Sequence, residues 1–129
     1  MEHREYFNNL ADKWDTISSH DAGKLKAITK MAGISKGNKV LDVGTGTGVM
    51  LPYIREIVGE EGEITANDIA EKMLELARQK YPFENIRFIL GDIATVSLPM
   101  NYFDVIMCYS VFPHFKDKAG MVAHMAGLL

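Results

Sequence analysis

The chain has 129 residues, 47% hydrophobic and 24% charged, which is the balance of one soluble globular domain with a core of its own. A net charge of −3 and scattered lysines and arginines argue against a nucleic-acid surface, which needs a basic stripe. One cysteine, Cys108, excludes an internal disulfide, and no apolar leader or membrane-length run occurs, so a cytoplasmic protein without membrane association is expected.

Tyr6, Phe7, Leu10, Ala11 and Trp14 recur at spacings of three and four and predict an amphipathic N-terminal helix. Asp21 is placed to cap a second helix with Leu25, Ile28 and Met31 on one face, stopped near Gly33. The apolar run Lys39–Val43 reads as a first strand entering the loop Gly44-Thr45-Gly46-Thr47-Gly48. A third helix leaves that loop with Leu51, Ile54, Ile57 and Val58, ending before Gly59. Its Pro52 lies in the first turn, where a missing N–H costs nothing. Glu63–Ala66 follows as a second strand, then a helix over Ala70–Lys80 that places Met73, Leu74 and Ala77 on one face. Ile86–Leu90 and Phe103–Tyr109 read as the third and fourth strands, and a weaker helical pattern runs from about Lys116 to Leu129.

The strands are mostly continuous apolar runs, as in a parallel sheet buried on both faces. Their alternation with helices predicts an α/β fold, a doubly wound Rossmann-like sheet with its ligand across the carboxyl ends of the strands. The fourth strand, strongly apolar and followed by no other, would be an exposed edge. The expectation is a chain that stops short of its complete fold, with a homodimer through that edge as the alternative.

Glycines at alternate positions, Gly44, Gly46 and Gly48, allow a ligand to approach the backbone, and the following helix would bring its N-terminal amides to it. Two phosphate-binding patterns fail on spacing. A dinucleotide fingerprint wants glycine where Val49 stands, and a P-loop needs a lysine that is absent between Lys39 and Lys72. Asp42, just ahead of the loop, would repel a pyrophosphate and suits a cationic or ammonium-bearing ligand.

The run Val40-Leu41-Asp42-Val43-Gly44-Thr45-Gly46-Thr47-Gly48 resembles the first motif of the class I S-adenosylmethionine-dependent methyltransferases. Three later stretches match that family in order. Asp68, after Ala66-Asn67, stands where the family's acidic residue binds the ribose hydroxyls, although Asp68-x-x-Glu71 also reads as a helix-capping box. Asp92, in Leu90-Gly91-Asp92-Ile93, stands where the adenine amino group is bound, although Gly91-Asp92 also reads as a plain turn. The fourth strand matches at Cys108, but Tyr109 and Pro113-His114 depart from the family's pattern.

The resemblance implies S-adenosylmethionine as cofactor and a small molecule as methyl acceptor. Asp42, Gly44, Thr45, Gly46, Gly48, Asp68, Ile69, Met73, Asp92, Ile93 and Cys108 are the implied cofactor contacts, with Ile69 and Ile93 facing each other across the adenine. Within a single domain, residues 1–35 would form a helical lid, like the leading helix of ubiquinone/menaquinone-biosynthesis methyltransferases, and residues 36–129 the core. His114, in the loop after the fourth strand, is the candidate general base, against the alternative of a solvated loop histidine. His3, His20, His114 and His124 show no metal-ligand spacing, so no metal is expected. A cofactor-binding module without catalysis is the alternative function.

Overall fold

The computed structural model describes residues 22–108 and 118–129. Its elements are α1 (Ala22–Met31), β1 (Lys39–Val43), α2 (Leu51–Val58), β2 (Glu63–Asp68), α3 (Glu71–Lys80), β3 (Ile86–Leu90), β4 (Val105–Met107) and α4 (Lys118–Leu128). The predicted N-terminal helix, Asp21 and His114 lie outside the described residues.

The strands form one sheet in the order β3-β2-β1-β4, with every pairing parallel. Register runs Val43 against Asn67, Asp42 against Met107, and Asp68 against Leu90. This order explains why the apolar runs differ in burial. β1 and β2 are the inner strands and are buried almost throughout, whereas the outer strand β3 leaves Leu90 47% exposed.

Successive side chains of β1 feed opposite faces of the sheet. Val40 joins a core with Leu25 of α1, with Leu51, Ile54 and Val58 of α2, and with Ala77 of α3. Leu41 and Val43 join a second core with Ile93, Phe103, and Met125 and Leu128 of α4. The sheet is thus covered by helices on both sides, as a doubly wound fold requires. α2 has only eight residues, too few to hold a helix in water. Burial of Leu51, Ile54 and Val58, at about 1.5–3 kcal/mol each, is what holds it.

Several predicted elements shift. In α1 Leu25 is buried, but Met31 is 85% exposed and Thr29 takes the inward position, its hydroxyl donating to the Leu25 carbonyl at 2.7 Å. The helical rotation explains this, since position 29 nearly eclipses position 25 and position 31 does not. β2 extends two residues beyond its predicted end, so Asn67 and Asp68 belong to the strand. β4 is shorter than Phe103–Tyr109. The Tyr102 and Phe103 amides bond instead to the Leu128 carbonyl, and the Asp104 amide bonds to Lys39 O, which anchors the approach to the strand outside the ladder.

Gly62, between α2 and β2, sits where a Cβ would stand 2.4 Å from Val58 Cβ and 2.9 Å from the Asn38 carbonyl oxygen. Both obstacles are rigid. The expected cost of Gly62→Ala is about 1–3 kcal/mol of stability, the range of overpacking, measured by urea unfolding of parent and variant.

Candidate functional site

All strands are parallel, so the loops following β1, β2 and β3 meet at one edge of the sheet. They are bonded to one another there. The Thr45 amide donates to Asn67 O at 2.9 Å, and the Gly46 amide donates to Asp68 Oδ2 at 2.8 Å. Asp68 Oδ1 accepts from the Ala70 amide at 2.8 Å, and the Asp68 carbonyl accepts from the Gly91 amide at 3.0 Å.

The N-cap of α3 is Ala70, without a side-chain cap bond, so the capping-box alternative at Asp68 gives way to a carboxylate that ties two loops. Burial raises the Asp68 carboxyl above the usual carboxylate range, against the lowering pull of the Ala70, Gly46 and Ile69 amides. The two oxygens share these three amides and keep acceptor capacity for a further donor.

Gly44, Gly46 and Gly48 adopt φ of 70°, 59° and 87°, a region that L side chains seldom enter, which accounts for the alternating glycines. At Gly48 the close neighbour belongs to the chain itself. A Cβ there would lie 2.9 Å from Leu51 Cδ1 and 3.0 Å from the Tyr81 ring, so this glycine is required by packing. The expected helix N-terminal amides are also committed. Leu51 N bonds to Gly48 O and Tyr53 N to Met50 O, while Pro52 has no N–H to give. An anion would find few donors here, in keeping with the failed phosphate motifs.

Asp42 is buried at the end of β1 and accepts from the Thr45 hydroxyl at 2.8 Å. Burial pushes its carboxyl from 3.8 up to about 7, the Thr45 hydroxyl lowers it, and the neighbouring Asp68 adds to the rise. Thr45 thereby commits its amide to Asn67 O, its hydroxyl to Asp42 and its carbonyl to the Gly48 amide. Cys108, following β4, is half-buried with Sγ 3.5 Å from Met125 Sδ. Burial and the Asp42 charge push its thiol up to about 11, which keeps it protonated.

Asp92 is exposed in the turn after β3, with Oδ1 accepting from the Ala94 amide at 2.9 Å. The two isoleucines expected to flank an adenine are not equivalent. Ile69 is half-buried at the end of β2, whereas Ile93 is 3% exposed in the second core. Met73 is likewise fully buried in α3, in the position of a core residue. Sequence reading missed Asn67, which is buried and donates through Nδ2 to Ile89 O and Gly91 O, each at 3.0 Å. It also missed His124, whose Nε2 lies 3.0 Å from Ile93 O and holds the β3 turn to α4. A strand-end asparagine and a helical histidine carry no motif that would flag them.

The Methyltransferase domain family matches residues 40–129, most of the chain. The chain belongs to that family. A ubiquinone/menaquinone biosynthesis C-methyltransferase of Azotobacter vinelandii is 33% identical over 111 residues, covering 79% of this chain and 44% of that protein. The counterpart from Stutzerimonas stutzeri is 30% identical over 134 residues, covering 97% of this chain and 52% of that protein. The chain thus spans about half the length of the curated relatives it matches. Among solved structures, a SAM-dependent methyltransferase from Aquifex aeolicus superposes with a TM-score of 0.78 at 27% identity, over 94% of this chain and 66% of that one. The fold is the class I methyltransferase fold, and S-adenosylmethionine is the cofactor that goes with it. No helix among the described residues is long and apolar enough to cross a membrane.

The sign of the Asp42 shift sets a pH dependence. Its native value lies above its unfolded value, so its protonated form stabilises the fold, and that contribution is lost as pH rises through about 7. The thermal midpoint of the ligand-free chain should therefore rise between about pH 8 and about pH 5. Asp42→Asn, which keeps an acceptor for Thr45, should flatten that slope. Asp68 shifts in the same direction and leaves a remainder.

Proposed function

We propose that this chain binds S-adenosylmethionine at the strand-end loops and transfers its methyl group to a small-molecule acceptor. The observation that carries the reading is Asp68. Its buried carboxylate is held by the Gly46, Ala70 and Ile69 amides at the strand-end loops, and its two oxygens keep acceptor capacity for a ligand hydroxyl. Membership of the family and the C-methyltransferase relatives support the same reading.

When bound, S-adenosylmethionine supplies a methyl carbon on a sulfonium, already activated for in-line displacement. The chain's own work is positional, and holding two reactants in line is worth up to roughly 7–11 kcal/mol. In this reading Asp68 accepts from the ribose hydroxyls and Asp92 from the adenine amino group. Gly44 and Gly46 keep the loop backbone open to the ligand. Asp42 provides buried negative potential for the methionine ammonium end, acting through Thr45 and the loop. Ile69 contributes apolar contact, while Met73, Ile93 and Cys108 support the site from the core. His114 is assigned the base role for an acceptor that must lose a proton, and residues 1–35 the lid. A cytoplasmic setting and pairing of two copies through β4, at one end of the described sheet, complete the reading.

Isothermal titration with S-adenosylmethionine and S-adenosylhomocysteine, with NADH as control, tests it directly. Micromolar binding of both sulfur nucleosides and none of NADH is expected. Asp68→Ala should weaken binding by about 1.5–3 kcal/mol, the scale of a charge-assisted hydrogen bond. A folded variant that binds as tightly as the parent overturns the assignment. Binding by the parent without turnover on any acceptor would select the non-catalytic alternative.

A further inference from the structure

Asn67 in β2 reaches with its side chain across to the end of the neighbouring strand. It is 2% exposed, and its amide nitrogen donates to two carbonyls, Ile89 O and Gly91 O, at 3.0 Å each. A carboxamide nitrogen carries two N–H donors, so the match of donors to acceptors is complete. Aspartate in this place would set a carboxylate against two carbonyl oxygens. Serine is too short to reach both.

The segment it grips is the turn bearing Asp92. Gly91 adopts φ of 144° and its amide bonds to Asp68 O at 3.0 Å. Beyond it the turn closes on itself through Thr95 N and Val96 N to Asp92 O, at 2.9 and 2.8 Å. His124 holds the far side through Ile93 O. The near side of the turn thus depends on Asn67 and one backbone bond. The Asp92 carboxylate, with Oδ2 accepting no hydrogen bond among the described residues, rides on that near side.

We propose that Asn67 is a positioning residue that sets the distance from Asp68 to Asp92, and so gives the site its preference for adenine over bases lacking the amino group. The proposal rests on the S-adenosylmethionine reading above. Asn67 itself touches no ligand. Its two donations fix where the Asp92 carboxylate stands relative to the ribose-binding carboxylate. A carboxylate at the right place accepts from an amino group and repels an oxo group, which is a selectivity that ribose and methionine contacts cannot supply.

The test uses two probes, S-adenosylhomocysteine and its inosine analogue, in which an oxo group replaces the amino group of the base. Titration of the parent chain should show a preference for adenine of about 10–100-fold, the worth of one hydrogen bond to a charged group. Asn67→Ala should lower affinity for S-adenosylhomocysteine by about tenfold and leave the inosine analogue nearly unchanged, so that the ratio collapses. Asp92→Ala should collapse the same ratio, and adding Asn67→Ala to it should change the ratio no further, because the two act as one unit. Asn67→Ser, which keeps a polar group without the double donor, carries the same expectation where the alanine variant does not fold. Equal weakening of both probes marks a merely structural role and overturns the proposal, as does an unchanged ratio. A parent that binds neither probe overturns the cofactor reading itself, and this inference with it.

Discussion

At the end of β2, two adjacent residues hold three loops in one arrangement. Asp68 takes the Gly46 amide from the loop after β1, the Ala70 amide from the start of α3, and the Gly91 amide on its carbonyl. Asn67 takes the Thr45 amide on its carbonyl and grips the end of β3 with its side chain. Remove these bonds and the strands still pair, because their register rests on the backbone ladder and on the two apolar cores. What would be lost is the fixed relation between the glycine loop, the Asp68 carboxylate and the Asp92 turn. The fold and the site therefore rest on different interactions, packing for one and a small set of buried hydrogen bonds for the other.

The electrostatics of this edge point the same way. Asp42, Asp68 and Cys108 are all displaced toward their protonated forms, chiefly by burial, and for Asp42 and Cys108 also by a neighbouring negative charge. A group of this kind is poorly suited to phosphate, and the Thr45, Gly46, Gly48, Leu51 and Tyr53 amides are already bonded within the chain. A ligand that brings positive charge reverses the balance, since it stabilises each ionised form that burial penalises. A glycine-rich loop after a first strand is thus compatible with opposite ligand charges. The residue before the loop and the fate of its amides decide between them.

The parts of this arrangement legible in the sequence are those with a period or a spacing. Continuous apolar runs located β1, β2 and β3, and the inner position of β1 and β2 explains why those two are the more completely buried. Alternating glycines and the acidic residues at two strand ends located the loops that the structure brings together. What was hidden depends on contacts between segments distant in sequence. Asn67 acts on carbonyls 22 and 24 residues away, and nothing local marks it. Gly48 faces Leu51 and Tyr81, and the burial of Ile93 follows from its packing in the core that α4 completes. β4 was overextended because Phe103 is as apolar as a strand residue, yet its amide goes to Leu128 O.

The same hydrogen bonds bear on how a small domain can bind a polar nucleoside at modest cost. Bringing a carboxylate out of water is expensive, and a site that did so only on ligand arrival would lose that energy from its affinity. Here Asp68 is already 7% exposed before any ligand is present, with its desolvation offset by backbone amides. In the proposed reading, ligand hydroxyls would meet an acceptor that is oriented and dry, so that their bonds add to affinity with little reorganisation. The burial that raises the Asp68 carboxyl above the usual range works against this, since a protonated acid is a weaker acceptor. The Gly46 and Ala70 amides counter that tendency by favouring the ionised form. The loop geometry that positions Asp68 thus also favours its ionised form, and positioning and chemistry at this edge are set by the same backbone amides.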